Sequence, residues 1–201
     1  FSIRKENPLS QPIKQGTVQT PPLGLHIVYK LIRRDANEEL LKQIPYEPFL
    51  DLAVVYYIQI DNTRFGSAAI QIRNEHLRYW RVEKEEIRRL AEKNTPRIYP
   101  VQIRQIVRFM YVATNEQCSL GAAVMRYPDF REKVRGMIRG DFYILPSSIH
   151  EVILVPESFG LEPERMQEMV KEINQTGVAP EEVLSDSVYY FDGEEIRIVA
   201  K

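Results

Sequence analysis

The chain has 201 residues, a formal net charge of −1, and a 44% hydrophobic and 10% aromatic content. This is the make-up of an ordinary soluble globular protein with material for one substantial core or two small ones. No apolar run approaches the roughly 18 residues of a membrane-spanning helix, and a near-neutral balance gives no general pull toward nucleic acid.

The single cysteine, Cys118, excludes an intramolecular disulfide and a cysteine-rich metal site. A reducing cytoplasm is the simplest setting. The amino end lacks the apolar core of a signal peptide, and it starts without Met, which suits a processed or trimmed chain. Charge is uneven along the sequence. Residues 97–139 hold eight Lys/Arg against three acids, and residues 141–201 hold four against thirteen. Two solvated helix faces of opposite sign account for this. A basic surface for an anionic partner is the sharper reading, but no aromatic interleaving supports it.

In chain order, residues 1–24 carry Pro8, Pro12, Pro21 and Pro22 with no surviving period, which predicts an extended or partly disordered arm. Residues 25–201 are then expected to form a single α+β domain. Leu25, Val28 and Ile32 keep helical spacing, and Asp35 or Asn37 can cap a second helical piece through Ile44. The pair Ile27-Val28 leaves a strand open for the first piece. Leu52–Ile60 is a clear strand of β-branched and aromatic residues. Asp61-Asn62-Thr63-Arg64 is a polar turn, and Gly66–Ile72 returns to close a hairpin. Asn74 is expected to cap a helix through Trp80, and a further helix runs from about Lys84 to Lys93 until Asn94-Thr95-Pro96 ends it. After a linking stretch, Phe109–Thr114 and Gly121–Met125 read as strands. Asp129 caps a helix bearing Phe130, Val134, Met137 and Ile138, and Gly140 suits a left-handed end.

The Gly66–Ile70 and Gly121–Met125 stretches lie 55 residues apart, with Asn74 and Asp129 at the same offset. This suggests duplicated strand-strand-helix units. Glycine followed by small residues points to close packing of backbone against a helix, not to a phosphate loop. The strongest strand, Val152–Val155, is apolar on both faces and belongs in the middle of a sheet. Met166, Met169, Val170 and Ile173 form the apolar stripe of a helix that starts near Pro163. Asp192-Gly193 joins Val188–Phe191 and Ile196–Val199 in a hairpin. The expected fold class is therefore α+β: antiparallel hairpins in one or two sheets, with amphipathic helices on a face.

The densest reactive-looking cluster is Ser147, Ser148, His150 and Glu151, just before the central strand. On a strand, Ser148 and His150 project from one face and Glu151 from the other. A hydrolase would use Ser148 and His150, with Asp186 as the third group. The Gly-x-Ser-x-Gly elbow is absent. The plainer reading is a histidine hydrogen-bonded at a strand entrance. Between these stands a binding cleft beside Ser147, Ser148 and His150, lined by Tyr143 and Tyr189. His26, His76 and His150 lie far apart in sequence and no His or Cys pair has ligand spacing, so no metal or cofactor is expected. Ser185-Asp186-Ser187 reads as a turn.

Several stretches, taken together and in order, resemble an uncharacterised bacterial family. They are Ile27–Ile32, Phe49–Tyr57, Glu92–Arg97, Tyr143–Leu154 and Pro180–Tyr189. The family is a domain of unknown function found mainly in anaerobic Gram-positive bacteria, and the likeness covers about residues 26–199. The resemblance implies a bacterial, cytoplasmic protein and carries no activity, cofactor or catalytic residue with it. The preferred expectation is a non-enzymatic interaction or ligand-binding protein with a protein or small-molecule partner, not a membrane or nucleic acid. A hydrolase is the alternative.

Overall fold

The computed structural model describes residues 26–62 and 66–201. The expected arm over residues 1–24, and Thr63 and Arg64 of the expected turn, lie outside the described residues. The rest is α+β, with two antiparallel sheets. The first holds β1 (His26–Arg33), β2 (Tyr46–Phe49), β3 (Leu52–Asn62) and β4 (Gly66–Gln71). Its axis is β3: β1 runs along one side, while β2 and β4 share the other.

β1 is a strand along its whole length, so the helical reading of Val28 and Ile32 is corrected. The strand buries both faces. Ile27, Tyr29 and Leu31 enter the main core, while Ile32 joins Leu41, Ile44, Ala53 and Val55 in a second cluster. A run that is apolar on both faces carries no period, and its β-branched residues favour the ladder with β3. The second cluster is capped by the short helix α1 (Glu38–Leu41).

Two more helices follow. α2 (Asn74–Trp80) is capped by Arg73 and not by Asn74: the Arg73 N–H donates to His76 Nδ1 at 3.1 Å. α3 (Lys84–Ile98) continues through Asn94-Thr95-Pro96, where an end was expected. Both polar residues turn inward. Thr95 Oγ1 donates to the Ala91 carbonyl at 2.7 Å and accepts the Tyr29 N–H at 3.0 Å. Asn94 Nδ2 donates to the Ile27 carbonyl at 3.1 Å. They stitch the helix to β1, and that gain outweighs the amide N–H lost at Pro96.

The second sheet has six strands: β5 (Val101–Val107), β6 (Met110–Asn115), β7 (Phe142–Leu145), β8 (Val152–Pro156), β9 (Val188–Phe191) and β10 (Ile196–Ala200). Their spatial order is β10-β9-β7-β8-β6-β5. β8 lies inside, between β7 and β6, with Val152, Leu154 and Val155 buried, as its doubly apolar pattern predicts. The linking stretch after α3 is itself a strand, β5, at an edge. Gly121–Met125 is not a strand; Gly121–Arg126 is a buried 3₁₀ turn. β6 already pairs with β5 on one side and β8 on the other, so no ladder edge remains for it. The close backbone packing expected at Gly121 is present, against β6 and residue 150 and not against a helix. A Cβ there would lie 2.1 Å from Thr114 Oγ1 and 2.5 Å from the His150 carbonyl.

A hairpin followed by a helix recurs: β3-β4 precedes α2, β5-β6 precedes α4 (Phe130–Met137), and β7-β8 precedes α5 (Pro163–Thr176). Asp129 makes no side-chain cap on α4; it pairs with Lys133 at 2.8 Å. α5 buries Met166, Val170 and Asn174, leaving Met169 and Ile173 exposed. The helix therefore packs along an i, i+4 row, and Asn174 takes the last buried place in the stripe where Ile173 was expected. One continuous core cluster draws on both sheets, α3, α4 and the 3₁₀ turn.

Candidate functional site

The loop from β7 to β8 holds the cluster singled out in the sequence, and it is not strand. Ser148 makes only an isolated bridge to Val183. Its Oγ accepts the backbone N–H of His150 at 3.1 Å, so it does not face the imidazole as a nucleophile faces its base. His150 Nδ1 accepts the Leu120 N–H at 3.2 Å, and Nε2 lies 3.2 Å from Glu182 Oε1. Both ring nitrogens are engaged: Nδ1 is the acceptor, and Nε2 carries the proton toward Glu182. Thr114 Oγ1 donates to the His150 carbonyl at 2.8 Å, and the Ser147 carbonyl accepts the Leu184 N–H at 3.0 Å. The loop fastens residues 182–184 to the 3₁₀ turn. Tyr143 is half-buried and packs on Tyr190, ring centroids 5.0 Å apart.

A different set of groups converges beside Asp51. β2 and β3 are joined by the two-residue turn Leu50-Asp51, and Leu50 sits at φ +56°. A left-handed leucine is strained by about 1–3 kcal/mol and persists only where its surroundings hold it. Here three hydroxyls do so. Ser185 Oγ donates to Asp51 Oδ2 at 2.7 Å, Ser187 Oγ to the same oxygen at 2.8 Å, and the Tyr189 hydroxyl donates to Oδ1. Ser185, Ser187 and Tyr189 are buried. Burial, together with the neighbouring Asp51 charge, pushes the Tyr189 hydroxyl well above its ordinary value, so it stays a donor.

Asp186, between the two serines, points to the other side. It accepts from Asn174 Nδ2 at 2.8 Å and pairs with Arg33 at 2.9 Å. Arg33 also holds Asp35 at 2.8 Å. Burial alone would raise the Asp186 carboxyl, but hydrogen bonds from Asn174 and Arg33 together outweigh it and hold the group below the usual range. Arg33, Asp35, Asp51 and Asp186 line a cleft of about 250 Å³ that also takes in Arg34, Lys171 and Lys201. Lys171 and Lys201 are exposed, and Arg34 is half-buried. None of them forms an ion pair or side-chain hydrogen bond among the described residues. The three carboxylates lining the cleft are all engaged.

Of the residues expected from sequence, Asp186 and Tyr189 meet here, through Arg33 and Asp51 respectively. Ser147, Ser148 and His150 form the neighbouring loop anchor, and Tyr143 sits with Tyr190. Sequence reasoning passed over Asp51, Arg33, Ser185 and Ser187. A signal existed. Ser185, Ser187 and Tyr189 alternate with period 2, which puts three hydroxyls on one side of an extended chain.

The profile of the Family of unknown function (DUF5688) matches residues 22–110 and 107–193. The chain belongs to this family. The two DUF5688 matches meet at residues 107–110, the tip of the β5-β6 hairpin, and together they span both sheets as far as β9. An uncharacterised family is what the motif resemblance implied. Comparison with curated proteins and comparison with solved structures give no match. Among the described residues, no helix is long and apolar enough to cross a membrane, and no group of three or more His, Cys, Asp or Glu is placed to hold a metal.

Proposed function

We propose that this is a non-enzymatic ligand-binding protein, and that its ligand is a small anion seated in the cleft between Arg33, Asp51 and Lys171. The observation that carries the reading is the imbalance of partners. Asp35, Asp51 and Asp186 are held by hydrogen bonds or ion pairs, whereas Arg34, Lys171 and Lys201 form none among the described residues. The unmet charge is positive and surrounds a concave, largely preformed space. Arg34 offers a planar fork suited to carboxylate or phosphate. Binding is favoured over catalysis because hydroxyl donors occupy both Asp51 oxygens, and Ser148 Oγ accepts from the His150 backbone instead of facing its ring.

The reading takes residues 25–201 as one α+β domain, supported by the core cluster shared between the sheets. The motif resemblance and the single cysteine support a bacterial cytoplasm as its setting. Calorimetric titration with inorganic phosphate, succinate and citrate tests the site. At least one probe binds at low millimolar concentration or tighter, and Arg34→Ala with Lys171→Ala weakens it at least 10-fold at unchanged melting temperature. Silence from all three probes, or equal affinity in the double variant, removes this site.

A further inference from the structure

A second cleft opens across Arg33 from the first, on the other face of β1. Its volume is about 530 Å³. Its apolar walls come from Ile32 and Leu40 on one side and from Ile149, Pro180 and Val183 on the other. Lys30 lines it too, on the same strand face as Ile32. Lys30 is half-buried, and its ammonium makes no ion pair or hydrogen bond among the described residues. Its Nζ lies 5.9 Å from the centroid of the Tyr57 ring, at the limit of a cation–π contact.

A lysine on a half-apolar face normally reaches out to water or to a carboxylate. This one is held in a cleft instead. Two other charged groups line the same space. Arg33 is already paired with Asp35 and Asp186, and the Glu181 side chain makes no ion pair with Lys30. Desolvation by burial lowers the Lys30 pKa, with no carboxylate to offset it. The fraction of free amine near neutral pH is thus larger than for an exposed lysine. Gln71 and Asn37, also on the lining, direct their amide N–H groups to the backbone: Gln71 to the Tyr56 carbonyl at 2.7 Å, Asn37 to the Arg33 carbonyl at 2.7 Å. No described residue donates to their amide oxygens, so both can accept from a ligand hydroxyl.

We infer that Lys30 is a carbonyl-reactive amine and that this cleft takes a small hydroxylated aldehyde or ketone, held as an imine. The ammonium first gives one proton to water. The free amine nitrogen then attacks the carbonyl carbon, forming C–N. The carbonyl oxygen leaves as water, taking two protons, and a C=N bond remains; no oxidant or reductant is consumed. Hydrolysis reverses every step. The inference is independent of the anion site, although Arg33 borders both clefts.

The test treats the full chain at pH 7 with glyceraldehyde and, separately, dihydroxyacetone. Cyanoborohydride traps any imine, and peptide mass mapping follows with time. Lys30 is expected to label at least 10-fold faster than the mean of the other eight lysines. Its rate should level off at a pH below the value near 10.4 of an exposed lysine. Lys30→Met should remove the fast phase and leave the slow labelling unchanged. Labelling that tracks exposure alone, with Lys30 at or below the mean, overturns the inference. So does a fast adduct that survives in Lys30→Met. The wild-type map needs no variant, so it decides the matter even where Lys30→Met does not fold.

Discussion

Replacing Asp51 with alanine tests the feature on which the site is built. The change removes both carboxylate oxygens and so the acceptors of Ser185, Ser187 and Tyr189. All three donors lie in the buried interior, Tyr189 at 0% exposure. Leaving a buried donor without a partner costs about 1–3 kcal/mol. Ser185 Oγ keeps one bond, because it accepts the Ser187 N–H at 2.9 Å. Some of the cost is returned as Leu50 is freed from its left-handed conformation, about 1 kcal/mol if the turn relaxes. The net loss is therefore about 3–4 kcal/mol, which for a chain of this size lowers the melting temperature by roughly 6–16 °C. Asp51→Asn is the informative partner. Its oxygen can still accept from Tyr189, and the serine hydroxyls can rotate to accept from the new NH₂, so a loss of only about 1–2 kcal/mol is expected. Urea unfolding of the three proteins measures both differences. An alanine variant within about 1 kcal/mol of wild type, or an asparagine variant worse than alanine, would refute the reasoning.

Gly121→Ala places a methyl 2.1 Å from Thr114 Oγ1 and 2.5 Å from the His150 carbonyl, with the Asn115 backbone at 2.8 Å. Backbone atoms cannot step aside, so a loss at or beyond the top of the usual overpacking range of about 1–3 kcal/mol is expected; a urea midpoint equal to wild type would sink the close-packing argument. The pH dependence follows from Asp186, whose folded carboxyl is held below its unfolded value near 3.9. The unfolded chain then binds more protons, so this stabilisation is present above about pH 4 and is lost as pH falls through the lower folded value. Arg33→Met removes one of the two groups holding that carboxyl down. It should flatten the fall of melting temperature between about pH 5 and pH 2, and an unchanged slope would contradict the assignment.

Much of the fold is legible along the chain because its cause is local. The β-branched run of β3, the doubly apolar Val152–Val155 and the Asp192-Gly193 turn each specify their element within a few residues. The errors share one origin. Thr95 and Asn94 look like a helix end until β1 supplies a backbone amide and carbonyl for them to bind. Gly121–Met125 looks like a strand until both sides of β6 are taken. Ile27 and Val28 look equally good in a helix, because burial on two faces erases the period on which the distinction rests.

The sites divide the same way. The alternating hydroxyls of Ser185, Ser187 and Tyr189 are written in the chain, as is the lone Asp51 between apolar runs. That the two stretches are partners, 134 to 138 residues apart, was decided when the sheets came together. The same folding step engaged both nitrogens of His150, the residue most suggestive of catalysis. Composition and period thus determine which segments become strands and helices, since those depend on neighbours along the backbone. The partners of each charged or hydroxyl group depend on neighbours across space, and only the closed core specifies them.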